Sequence, residues 1–103
     1  FHYNAPVLIV LAHKPVLANN FSDAACAMQN MMLACNELDL GSCWVNQLRN
    51  LQDNERIIKR LRELGMGDDE KVYASLALGY PDLPNGLNRR ELDIKGNPVT
   101  YID

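Results

Sequence analysis

Residues 23–47 read D-A-A-C-A-M-Q-N-M-M-L-A-C-N-E-L-D-L-G-S-C-W-V-N-Q, and the rest of the chain is organised around them. The first part, residues 23–40, contains neither Gly nor Pro and is rich in Ala, Met and Leu, side chains that lose little freedom in a helix. It predicts one helix from Asp23 to Leu40 with Ser22 as N-cap. Apolar residues fall on nearly every side of it: Ala24, Ala25, Ala27, Met28, Met31, Met32, Leu33, Ala34, Cys35 and Leu38. A helix of this kind needs cover on more than one face. Gly41 is the expected left-handed stop, and residues 42–48 are expected to resume as a short extended segment carrying Trp44, the sole Trp.

Upstream, Pro6 opens the run Val7-Leu8-Ile9-Val10-Leu11-Ala12, bounded by His13-Lys14-Pro15. A short continuous apolar run with such flanks predicts a strand buried on both faces. His13 ends it, where a lone His is either a surface residue or a candidate acid or ligand. Downstream, Asp53-Asn54 starts a second helix running to Leu64 and closed by Gly65. Ile57, Ile58, Leu61 and Leu64 form its apolar stripe, and its interspersed Arg, Lys and Glu residues predict a solvated face, not a phosphate patch. A Gly-Asp turn at residues 66–70 precedes a second buried strand, residues 71–80, ended by Gly79-Tyr80-Pro81. Pro84, Asn85-Gly86 and Gly96 then punctuate an extended tail without a core of its own, in which residues 99–102 are a candidate strand.

The chain has 103 residues, enough for one domain with a modest core. At 48% hydrophobic and 22% charged it is globular in composition. Ten basic against thirteen acidic residues leave a net charge of −3, which argues against a nucleic-acid or anionic-membrane binder. The three cysteines, Cys26, Cys35 and Cys43, have no metal-type spacing and predict buried free thiols in a reducing compartment. No run reaches the length of a membrane span, and no signal-peptide pattern is present. The first residue is Phe1, as expected of a processed chain or a piece of a longer one.

The Ala-rich helix with its Gln29-Asn30 pair, followed by L-x-L-G-S-C-W-V at residues 38–45, resembles the second half of the nitroreductase family of flavin enzymes, where the pattern is roughly A-x-x-N-x-x-L-A-A-x-x-L-G-L-G-T-C-W-I. The strand from Ala5 to Val10 and the Leu76-Ala77-Leu78-Gly79-Tyr80-Pro81 segment match in order and separation. The resemblance implies an α+β fold in which residues 1–103 form a single partial nitroreductase-like domain, the C-terminal half: a buried central helix packed with a small sheet, and an extended C-terminal arm lying over a partner subunit. It also implies a cytoplasmic homodimer with FMN at the subunit interface. The implied reaction is hydride transfer from NAD(P)H through flavin N5 to a small-molecule electron acceptor such as a nitro compound or quinone. The alternative is a non-catalytic fragment or truncated homologue that dimerises without binding flavin.

A flavin site needs a slot for the ring, donors for its N5 and carbonyl oxygens, and positive charge for the phosphate. By resemblance, Trp44, Val45, Asn46 and Gln47 lie against the isoalloxazine, with Asn46 next to N5, where family members commonly carry Gly or Glu. Arg89 and Arg90, following the Gly-Tyr-Pro turn, are the implied phosphate contacts, suited to bidentate capture. Read without the resemblance, Trp44 is a large core residue before it is a cofactor contact, and the two arginines are solvent-exposed charges. The family's N-terminal Arg-x-Ser-x-Arg segment does not occur here; the first arginine is Arg49. No side chain is assigned as acid or base. Two histidines make no metal site, and Gly65-Met66-Gly67 lacks the third glycine of a dinucleotide fingerprint.

Overall fold

The computed structural model describes residues 3–16, 18–82, 93 and 95–102. Its elements are strand β1 (Val7–His13), helix α1 (Asn20–Glu37), strand β2 (Gly41–Val45), the short helix α2 (Gln47–Asn50), helix α3 (Glu55–Glu63) and strand β3 (Lys71–Gly79). The strands form an antiparallel sheet in the order β1-β3-β2, with the last strand in the centre. The central position explains the composition of β3: Val72, Ala74, Ser75, Leu76 and Ala77 are all buried.

Two apolar clusters cover the two sheet faces. On one face, Met28 and Cys35 of α1 meet Ala74 and Leu76, with Ile9, Leu11, Trp44 and Leu78 packed around them. On the other, Leu48 of α2 and Leu61 of α3 meet Val72, with Leu8, Val10, Ala12 and Ile57 alongside. Side chains alternate along a strand, so Val72 and Ala74 would ordinarily share a face. They do not, because the register passes from Leu11↔Ala74 to Ala12↔Val72, which makes Tyr73 an extra, bulged residue. The bulge turns Tyr73 towards the start of α1, where its ring stacks on His13 at 4.3 Å and its hydroxyl accepts from Asn20 Nδ2 at 3.3 Å. Beside the bulge, where β2 no longer reaches, the Gln52 side chain imitates a strand: Oε1 accepts from Val72 N–H at 2.8 Å and Nε2 donates to Val72 C=O at 3.0 Å.

Several expected boundaries move, each for a local reason. Helix α1 begins at Asn20, ahead of the expected Ser22 cap, because its first turn is held by tertiary contacts. His13 Nε2 lies 3.2 Å from the Asn20 carbonyl, and Arg49 stacks over the Phe21 ring at 4.5 Å. The helix ends at Glu37, not Leu40, and its left-handed residue is Asp39 (φ 57°), not Gly41. Leu40 N–H bonds to Cys35 C=O and Asp39 N–H to Asn36 C=O, a Schellman closure in which Leu40 folds back onto the Cys35 cluster. Gly41 is thereby freed to start β2, opposite Gly79. The extended segment after it stops at Val45, and Gln47 and Leu48 turn into α2.

Helix α3 is close to expectation. Asn54 caps it by accepting from Arg56 and Ile57 N–H, and Gly65 (φ 114°) closes it with a second Schellman pair, Met66 N–H to Leu61 and Gly65 N–H to Arg62. Strand β1 is covered on both faces, by Ile9 and Leu11 in one cluster and Leu8, Val10 and Ala12 in the other, but it is only half-buried because it forms a sheet edge, and Val7 is exposed. Of the expected buried thiols only Cys35 is inside; Cys26 and Cys43 are exposed. Residues 99–102 do not join the sheet, and Val99, Tyr101 and Ile102 are exposed. Among the described residues, no helix is long and apolar enough to cross a membrane, and no group of acidic, His and Cys side chains is placed to hold a metal ion.

Candidate functional site

The site begins where β2 gives way to α2. Among the described residues β2 is an edge strand, so one side of its backbone has no partner strand there. Val45 faces inward, 2% exposed, and its carbonyl accepts from the buried Ser75 hydroxyl at 2.6 Å. That bond ties the end of β2 to the centre of the sheet. Trp44 points to the opposite face, where its ring packs into the cluster of Met28 and Leu76. It is half-buried, and its indole N–H reaches out to donate to Asn46 Oδ1 at 3.0 Å.

Asn46 is exposed and occupies the N-cap position of α2, yet its side chain makes no capping bond. Its backbone explains why: φ −91° and ψ −18° are helical, whereas a capping side chain needs extended backbone to reach the following N–H groups. The amide is directed to Trp44 instead. An indole N–H can only donate, so the amide atom facing it must be the oxygen. The Nδ2 group therefore lies on the far side, and among the described residues it has no partner. Gln47, also exposed, is the first residue of α2, where a backbone N–H has no intrahelical acceptor. The arrangement is a half-buried aromatic ring beside a fixed amide donor and a free helix-start N–H. Those features fit the edge of a planar heterocycle carrying hydrogen-bond acceptors.

A groove of about 600 Å3 lies on the opposite sheet face, at the Gly41 end of β2. Cys43, Ala77, Gly79, Tyr80 and Tyr3 line it, but Trp44, Asn46 and Gln47 do not. Gly79 is required there, because a Cβ on it would come within 2.9 Å of Pro6 Cδ, part of a ring that cannot swing away. The expected phosphate contacts Arg89 and Arg90 lie outside the described residues. His13, the other candidate from sequence, is committed to structure: besides Tyr73 and Asn20, its Nδ1 lies 3.1 Å from the Lys14 carbonyl. The Trp44–Asn46 bond was not expected. The i, i+2 spacing across a strand end was its only signal, and such a spacing puts two side chains on one face only while both residues remain extended.

The fold defines a class first: a small antiparallel α+β unit with one apolar helix across the sheet. The chain belongs to the nitroreductase family, whose model matches residues 1–80. Among solved structures, it is similar to a nitroreductase with bound FMN from Bacteroides fragilis NCTC 9343, at 34% identity and a TM-score of 0.85, covering 99% of this chain and 54% of that one. It is also similar to the FMN- and NADPH-dependent nitroreductase NfnB of Sphigopyxis sp. strain HMH, at 26% identity and a TM-score of 0.66, covering 92% of this chain and 41% of that one. A comparison with curated proteins returned no match. The chain thus spans about half the length of the solved structures it resembles.

Proposed function

We propose that this chain is part of an FMN-dependent oxidoreductase that carries hydride from NAD(P)H to a small-molecule acceptor such as a nitro compound or quinone. The single observation that carries this reading is the fixed amide donor of Asn46 beside the Trp44 ring, in a chain of the nitroreductase family. In this reading Trp44 forms the wall of the ring site, the backbone of Val45 lies beside it, Asn46 and the Gln47 N–H supply donors, and Arg89 and Arg90 hold the phosphate. When bound, FMN supplies the two-electron chemistry at its N5. The chain's own contribution is orientation and electrostatics: Ser75 pins the Val45 carbonyl, the apolar cluster holds Trp44, and no side chain serves as acid or base. The working form is a cytoplasmic homodimer, the second copy or the remaining half of the family fold covering the outer side of α1.

Visible absorption of the purified protein tests this reading. Flavin bands that survive gel filtration are expected. A colourless protein that takes up no added FMN defeats it, and favours the second reading, a scaffold that associates without flavin. That alternative is supported by the outer face of α1, where Leu33 (57% exposed) and Leu38 (68% exposed) are uncovered among the described residues. If flavin is bound, Arg89→Ala with Arg90→Ala should weaken FMN at least tenfold in titration, as expected for the loss of charge-assisted phosphate bonds; unchanged affinity removes the two arginines from the site.

A further inference from the structure

Three features of the Trp44–Asn46 pair belong together. The indole ring is set in the α1 cluster with Met28 and Leu76, both 0% exposed, so its position is imposed by the core and not by solvent. Its N–H is a donor with no alternative role, and it ends on Asn46 Oδ1. Asn46 has given up the helix cap that an Asn at this position ordinarily supplies. An exposed amide free of such a bond turns over between two nearly equivalent orientations, presenting a donor in one and an acceptor in the other. Here one orientation would set the Asn46 NH2 against the Trp44 N–H, donor against donor.

We infer that Trp44 is a positioning residue, whose indole N–H locks the Asn46 amide with its donor end outward and so tunes the site for an atom bearing a lone pair. The inference rests on the flavin reading only for the identity of that atom. Oxidised flavin N5 has a lone pair and no hydrogen, whereas reduced N5 carries a hydrogen. A donor that cannot turn over therefore favours the oxidised ring, while an amide free to turn would offer its oxygen to the reduced N5–H. The lock holds the bound cofactor's potential down.

Trp44 is the sole Trp, so its indole N–H gives one resonance in a proton–nitrogen spectrum. The first measurement is hydrogen exchange of that N–H in flavin-free protein, wild type against Asn46→Ala, an exposed substitution that leaves the core intact. Exchange about tenfold faster in the variant is expected for the loss of one hydrogen bond; equal rates overturn the lock. The second is the two-electron potential of FMN-loaded wild type, Asn46→Ala and Trp44→Phe, the last keeping a ring in the cluster while removing the donor. About a tenfold loss of preference for oxidised flavin is expected in Trp44→Phe, an upward shift of about 30 mV for a two-electron couple. An unchanged potential in Trp44→Phe overturns the tuning role, even with slow exchange in the wild type. Failure of every variant and the wild type to take up FMN counts against the flavin reading alone, and the exchange rates then decide the lock.

Discussion

Helices α1 and α3 cover opposite faces of the same sheet, yet they are built to different standards of self-sufficiency. Helix α3 is amphipathic: Leu61 is buried, Ile57 and Ile58 are half-buried, and its charged residues are exposed. It has a side-chain cap at Asn54 and a glycine at its left-handed stop. Helix α1 buries Ala24, Met28 and Cys35 against the sheet but leaves Cys26, Ala27, Leu33, Ala34 and Leu38 exposed. Its N-cap, Asn19, makes no side-chain capping bond, and its stop is an Asp in left-handed conformation. Helix α3 is thus stabilised by its own local chemistry and one surface. Helix α1 relies on packing, and the described residues supply only one of the two surfaces its composition requires.

The comparison can be broken most directly at the packing of α1. Met28→Ala should cost about 2–5 kcal/mol in denaturant unfolding, since it empties a fully buried site between α1 and β3. Leu33→Ala on the outer face should cost less than about 0.5 kcal/mol in the isolated monomer. A large loss at Leu33 in a monomer would show that the outer face is already covered by the chain itself. The stops come next. Gly65→Ala should cost about 1–2 kcal/mol, wholly from backbone strain, because no atom lies within 4 Å of the added Cβ. Asp39→Gly should instead raise the midpoint of thermal unfolding, and a drop there would mean that the Asp39 side chain contributes more than its backbone costs. The smallest expected effect separates the caps: Asn54→Ala should cost about 1 kcal/mol and Asn19→Ala close to nothing. Equal losses would remove the distinction between a locally and a tertiarily stabilised helix start.

Much of the fold was legible from residue patterns. The branched run before His13, the Gly- and Pro-free helix and the small-residue strand before Gly79 all form near their expected places, and Asn54 and Gly65 bound α3 as their chemistry requires. The misreadings have one origin, which is that the competing partner was distant in sequence. Nothing local distinguished Ser22 from Asn19 as the start of α1, because the first turn is held by His13, Tyr73 and Arg49. Nothing local announced that Asp39 would take the left-handed position two residues before Gly41, since Leu40 folding onto Cys35 sets that geometry. The Gly-Ser-Cys-Trp motif pointed to Trp44, Asn46 and Gln47, the residues proposed for the ring edge. The bond between Trp44 and Asn46 was not legible, because it depends on the helical backbone that Asn46 itself adopts where β2 turns into α2.

Residue patterns alone set which segments are helix and which are strand, that α1 is apolar on more sides than one sheet can cover, and which family's motif the chain carries. These are local or periodic properties, set by side-chain size, branching and the rigidity or freedom of Pro and Gly. Only the tertiary structure decided the strand order that puts β3 in the centre, the bulge at Tyr73 that sends Val72 and Ala74 to opposite faces, and the orientation of the Asn46 amide. Each of those depends on contacts between residues far apart in the chain or on a change of backbone conformation, and no periodicity in the sequence encodes them.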